Sequence, residues 1–162
     1  MAVLNIIKLN NPKLRRKAKP VKKITPGILT LIQDMEDTMR AAPGIGLAAN
    51  QIARPEFIFV ADVGEGLIVA INPKILRKTG TQTIVEGCLS IPGLQGPVER
   101  ASYVKLQAMD ENGEILIHEA TGLLAQCFQH EMDHLDGSLF IDRVKDPSTL
   151  EHVALESARH RI

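Results

Sequence analysis

Aromatic residues are scarce in this 162-residue chain: no tryptophan, one tyrosine and four phenylalanines, 3% of the total. Stacking platforms for single-stranded nucleic acid are built from aromatic faces, so that class is excluded. No apolar run approaches the roughly 18 residues of a membrane helix, and the opening MAVLNIIKLN lacks the basic start, apolar core and small-residue cleavage site of a secretory signal. Cysteine is limited to Cys88 and Cys127. A domain of this size folds without disulfides, so the count decides little by itself. Both are read as thiols in a reducing cytoplasm, in part because Cys88 has a better use below. Acids are missing from the first 33 residues, which carry Lys8, Lys13, Arg15, Arg16, Lys17, Lys19, Lys22 and Lys23. That segment is +8 and the remainder −8, within a net charge of zero. A solvated surface accounts for such a run; an electrostatic foot on an anionic surface such as ribosomal RNA is the sharper reading.

What is present is enough for a core, since 44% of the residues are hydrophobic. No repeat, low-complexity tract or linker divides residues 1–162, which are read as one domain. Residues 26 to 41 predict a helix: Thr25 to cap, Pro26 at the first position, and Ile28, Leu31, Ile32, Met35 and Met39 as its apolar stripe. Phe57 to Val63 and Leu67 to Ile71 read as strands about Gly64-Glu65-Gly66, with a further strand at Thr81 to Val85. Tyr103 to Met109 and Glu114 to Glu119 flank Asn112-Gly113, a strong hairpin signal. Thr121 to Leu135 reads as a helix closed near Gly137, and a last helix is expected from Asp146 or Ser148 to Ile162. Strands grouped between helices predict an α+β domain.

The segment QHEMDH, Gln129 to His134, carries the chemistry. His130 and His134 are four apart on the predicted helix, so at about 3.6 residues per turn they share a face and suit one metal ion. The stripe 123, 124, 127, 130, 131 and 134 begins with Leu123, Leu124 and Cys127, so the polar groups extend a buried face. Chance can place His-Glu-x-x-His on an ordinary helix, but burying two histidines and a glutamate without partners is costly. A hydrolytic metal site wants a third protein ligand and an open position. Glu151 and Glu156 downstream are candidates, and so is Cys88 upstream, although a lone buried cysteine is more often a core residue.

Three segments taken together, GIGLAANQ (44–51), EGCLS (86–90) and QHEMDH (129–134), resemble the signature motifs of the peptide deformylase family, in order and at suitable spacing. The resemblance implies an α+β fold, with mixed or antiparallel sheets packed around a central helix carrying His-Glu-x-x-His. It also implies a metal-dependent hydrolase that removes the N-formyl group from the N-terminal formyl-methionine of newly synthesised polypeptides and releases formate. Carried over, Cys88, His130 and His134 are the metal ligands and Glu131 is the general acid/base. Gln51 and the Leu89 N–H face the oxyanion, and Ile45, Gly46, Glu86, Gly87, Leu123 and Cys127 bind substrate. The cofactor implied is one divalent ion, Fe2+ natively, with Zn2+, Ni2+ or Co2+ as substitutes. The partners implied are N-formyl-methionyl nascent peptides and, transiently, the ribosome through the basic amino-terminal segment, with no membrane and no specific nucleic acid.

A divalent cation beside one thiolate keeps a local charge of +1 and lowers the pKa of water toward about 7. Glu131 would take a proton on attack and return it to the departing amine, while two fixed donors hold the oxyanion, each worth about 3 kcal/mol. Asp133 is placed either on Arg100 or in solvent. Two features depart from the family pattern: Gln126 is polar where many relatives are apolar, and the tail after Asp146 is short. A zinc endopeptidase using Glu151 or Glu156 leaves GIGLAANQ and EGCLS unexplained. A scaffolding module on the same fold would have shown itself by loss of Glu131 or Cys88, and both are present.

Overall fold

The computed structural model describes residues 2–154 and 162. Helix α1 spans Pro26–Ala41, as expected, and starts where Thr25 Oγ1 accepts the Ile28 N–H at 3.2 Å. Its predicted stripe is buried from Ile28 to Met39. In chain order the strands are β1 (Gly46–Ala48), β2 (Ile58–Ala61), β3 (Ile68–Thr79), β4 (Gln82–Cys88), β5 (Ile91–Arg100), β6 (Tyr103–Met109), β7 (Ile115–Thr121) and β8 (Glu151–His152). Helix α2 spans Gly122–Leu135.

Two antiparallel sheets result, one ordered β1-β2-β3-β6-β7 and the other β4-β5-β8. Strand β2 explains how the larger sheet holds both helices. Its four residues are all buried, and they alternate: Ile58 and Val60 join the cluster of α1, while Phe59 and Ala61 join that of α2. A strand buried on both faces reads as a continuous apolar run. Phe59 meets Phe128 of α2 with ring centroids 5.7 Å apart. A third cluster, including Cys88, Val98, Leu139 and Phe140, closes the smaller sheet. The fold is therefore the expected α+β class, with α2 at its centre.

Helix α2 is more deeply embedded than its predicted stripe. Ala125, Gln126, Phe128 and Gln129 are buried along with Cys127, His130 and Glu131, whereas Leu123 and Leu124 are only half-buried. It ends where Gly137, at φ +84°, turns the chain. The Gly137 N–H reaches His134 O at 3.0 Å and the Ser138 N–H reaches Asp133 O at 2.8 Å, satisfying two terminal carbonyls.

The expected last helix is not formed over its described part. Pro147–Thr149 make one 3₁₀ turn, Leu150 is extended, and β8 then pairs with β5 through Leu94↔His152 and Gln95↔Glu151. A short helix is marginal alone, and the open edge of β5 offers a ladder instead. Residues 155–161, among them Glu156, Arg159 and Arg161, lie outside the described part. Strand β5 itself was masked in the sequence by Pro92, Gly93, Gly96 and Pro97, and β1 by its length of three residues.

Candidate metal centre and active site

The end of β4 and the middle of α2 meet at three side chains. A register shift in the β4–β5 ladder falls between Gly87 and Cys88, and the Cys88 side chain meets His134 of α2. Cys88 Sγ lies 3.3 Å from His134 Nε2, and the two imidazole Nε2 atoms are 3.1 Å apart. All three donor atoms fall within 4.8 Å of one another, and all three residues are buried. Glu151 is not among them: it sits on β8 with its carboxylate on Gln95 Nε2 at 2.6 Å, and Glu156 lies outside the described residues.

Behind His130 runs a buried charge network. Its Nδ1 lies 2.7 Å from Glu86 Oε1, and Arg100 donates to both oxygens of Glu86 at 2.6 and 3.0 Å. Arg100 continues to Asp133 at 2.8 Å, where Arg143 also binds, so Asp133 is paired rather than left to solvent. Burial by itself would raise the Glu86 pKa, but hydrogen bonds from His130 and Arg100 outweigh it and hold the carboxyl at about 2. With Glu86 on Nδ1, Nε2 is the ring atom of His130 that faces His134 and Cys88. Burial holds the pKa of His134 well below the usual imidazole range.

The donor set fits a soft-to-borderline divalent ion. Two imidazoles bring their Nε2 atoms together, and a buried thiol, pushed up to about 12 chiefly by desolvation, needs a cation beside it to ionise. Glu131 is fully buried next to this point, and neither carboxylate oxygen has a hydrogen-bond partner among the described residues. Desolvation first, then the Glu86 charge, pushes its pKa well above the usual range. A carboxyl in that state is suited to hold a proton and release it when positive charge arrives.

The remaining predicted residues surround this centre in different ways. Gly46 brings its backbone against Glu131: a Cβ there would run into Glu131 Oε2 and lie 2.9 Å from Cys127 Sγ. Cys127 Sγ is 3.6 Å from Ile45 O, and Leu123 is half-buried at the start of α2. Gln51 is buried; its Oε1 accepts the Ala48 N–H at 3.0 Å, while Nε2 donates to Ser90 Oγ at 3.1 Å and lies 3.9 Å from Cys88 Sγ. Gly87 O and the Leu89 N–H line the free edge of β4, with the Leu89 N–H donating to Ile162 O at 3.1 Å. The Glu86 side chain points into the network behind His130, where Arg100, His130 and Gln126 surround it.

Sequence reasoning named Gln126 without its partners and missed two further residues. Gln126 is not a polar wall of the site: its Nε2 donates to Glu86 Oε2 at 2.5 Å and Val98 O at 2.9 Å, and its Oε1 accepts from Gln82 at 3.0 Å. Asn50 Nδ2 donates to His134 O and so ties the first motif to the metal helix. Ile162, fully buried, belongs to the same apolar cluster as Cys127. Spacing carries no signal for any of these, because each contact crosses at least 28 positions of sequence.

An α+β protein with two helix-borne imidazoles facing a strand-borne thiol, and an orphaned carboxyl beside them, falls in the class of metal-dependent hydrolases. The chain belongs to the polypeptide deformylase family, whose model matches residues 3–149. It is 48% identical over 143 residues to a peptide deformylase of Carboxydothermus hydrogenoformans, covering 88% of this chain and 94% of that one. It is 50% identical over 143 residues to one from Syntrophomonas wolfei, covering 88% and 94%. Among solved structures, the peptide deformylase of Synechococcus elongatus in complex with actinonin superimposes with a TM-score of 0.88 at 42% identity, over 92% of this chain and 84% of that one. The Thermotoga maritima peptide deformylase gives 0.87 at 39% identity, over 90% and 100%. Members of this family are metal-dependent hydrolases that remove the formyl group from N-terminal formyl-methionine.

Proposed function

We propose that this chain carries out that hydrolysis with Cys88, His130 and His134 holding one divalent ion and Glu131 moving the proton. The observation that carries the reading is the convergence of three buried donor atoms within 4.8 Å beside a carboxyl whose oxygens have no other partner. When bound, the ion supplies Lewis acidity, polarising the formyl oxygen and making water more acidic. Glu131 then accepts a proton as water attacks the formyl carbon and returns it to the departing amine nitrogen. The oxyanion side is formed by the Leu89 N–H and the Gln51 amide. The Gln51 amide is oriented by its Oε1, which accepts the Ala48 N–H at 3.0 Å.

Substrate enters between two sheet edges. β1 edges the larger sheet and β4 the smaller, so a peptide can add to them as a strand. Ile45, Gly46, Gly87, Leu123 and Cys127 are the candidate wall for the methionine side chain. The Gln126 amide is committed to Glu86 and Val98, which leaves that wall apolar. Ferrous iron is the proposed native ion, with zinc, nickel or cobalt as substitutes, because one thiolate and two imidazoles suit all four. Glu131→Gln tests the assignment. On protein purified without oxygen, stoichiometric iron and formyl-Met-peptide binding should persist while turnover falls at least about 10²-fold. Near-normal turnover would remove Glu131 from the mechanism, and loss of metal from the parent would remove the donor set.

The proposed setting is the cytoplasm, where nascent chains appear. Lys13, Arg16, Lys17, Lys19 and Arg54 line a cavity of ≈ 240 Å³ on one face, the place proposed for a transient, salt-dependent ribosome contact. Reversing Lys13, Arg16 and Lys19 to Glu should weaken co-sedimentation with ribosomes at low salt and leave kcat on a free peptide unchanged. Unaltered co-sedimentation would reduce this face to a solvated surface.

A further inference from the structure

Ile162 occupies the cleft assigned above to substrate. Its N–H points to Gly87 O at 3.5 Å, and its main-chain oxygen accepts the Leu89 N–H at 3.1 Å. The two bonds bracket Cys88, which is the arrangement by which one residue pairs in parallel with another across a sheet edge. Ile162 therefore sits opposite a proposed metal ligand, on the open edge of β4. Its side chain is fully buried in the cluster that contains Cys127, with Ile45 and Leu124 packed against that cluster.

We propose that the cleft takes this chain's own Ile162 as a pseudo-substrate: an unformylated residue whose branched aliphatic side chain fills the methionine pocket and whose backbone uses the substrate's hydrogen-bond positions. The inference rests on the assignment of Leu89, Ile45 and Cys127 to the substrate cleft. Its specific content is that the occupant is intramolecular. One donor, the Leu89 N–H, cannot serve both Ile162 O and the oxyanion, so substrate must displace Ile162 before reaction. Between β8, held on β5 by the Glu151–Gln95 pairing, and Ile162 the chain runs nine residues, and that tether makes the competition independent of protein concentration.

Self-occupancy lowers apparent affinity by the fraction of molecules with an open cleft and leaves the chemistry alone. A cleft filled nine-tenths of the time raises KM about tenfold with kcat unchanged. The test compares the full chain with its Ile162→Asp and Ile162→Gly variants. For both, KM for a formyl-Met peptide should fall several-fold at constant kcat, and the Leu89 amide should exchange hydrogen faster than in the parent when no substrate is present. A synthetic peptide of residues 155–162, added to Ile162→Gly, should inhibit competitively. Unchanged KM together with unchanged Leu89 exchange would overturn the proposal, as would a KM that rises. A parent without deformylase turnover would sink the proposed function instead, and the exchange measurement would still report on Ile162.

Discussion

The two imidazoles of the centre stand one helical turn apart and are held by opposite means. His130 is aimed by charge: its Nδ1 sits on Glu86, Glu86 on Arg100, and Arg100 on Asp133, all largely buried. His134 has no side-chain partner on Nδ1 among the described residues. Its position comes from the backbone, where Asn50 Nδ2 takes its carbonyl and the turn at Gly137 closes the helix. Gly137 is required there, since a Cβ would run into Arg15 O and φ is +84°. One imidazole is thus oriented by an electrostatic network assembled from β4, β5 and α2. The other depends on how the helix ends. The contrast implies that polar substitutions near His130 act through charge and metal affinity, whereas those near His134 act through local backbone stability.

The largest expected effect falls on Glu86. Glu86→Ala strands Arg100 and His130 without their buried partner, a change that costs about 3–5 kcal/mol in comparable pairs and lowers metal affinity about 10–100-fold. Urea unfolding and chelator competition would measure the two. A loss under about 1 kcal/mol with normal metal affinity would erase the distinction between the imidazoles. Acid sharpens the same point. The folded pKa of Glu86 is about 2 against an ordinary 4.5, so the unfolded chain binds the proton more readily between those values. Stability from this group is present above pH 4.5 and is lost as pH falls toward 2, on the order of 3 kcal/mol in all. Glu86→Gln should flatten that part of the pH–stability curve. An equally steep acid limb in the variant would assign the sensitivity to other carboxylates.

Local signals in the sequence were enough for α1, α2 and the Asn112-Gly113 hairpin, because caps, apolar stripes and turn residues act within a few positions. The donor residues were legible for a related reason: His130 and His134 are spaced by the helix, and Cys88 stands in a short motif. What the sequence could not display were interactions between distant segments. Glu86 was expected near substrate, and only the pairing Gln82↔Arg100 through Glu86↔Gly96, with α2 laid across it, turns its carboxylate toward His130. Gln126 looked like a misfit in an apolar pocket until Val98 O and Glu86 appeared as its acceptors. The tail was misread because helix propensity near Ser148 carries no information about the open edge of β5.

The smallest effect is expected on the other imidazole. Asn50 is buried, and its Nδ2 donates to His134 O and lies 3.4 Å from Arg16 O, so one amide joins the helix end to the amino-terminal segment. Asn50→Ala removes a buried neutral donor while His134 O keeps the Gly137 N–H, which costs about 1 kcal/mol. No charge is lost, and the His134 ring keeps its packing. Metal affinity should therefore change less than about 10-fold, below the range expected for Glu86→Ala, while the unfolding midpoint still moves. Helix-end exchange provides a local readout: the amides of Gly137 and Ser138, which close α2, should lose protection in Asn50→Ala and keep it in Glu86→Gln. If Asn50→Ala instead weakened metal binding as strongly as Glu86→Ala, His134 would be oriented through its backbone as tightly as His130 is through its ring, and the two ligands would differ in partner but not in consequence.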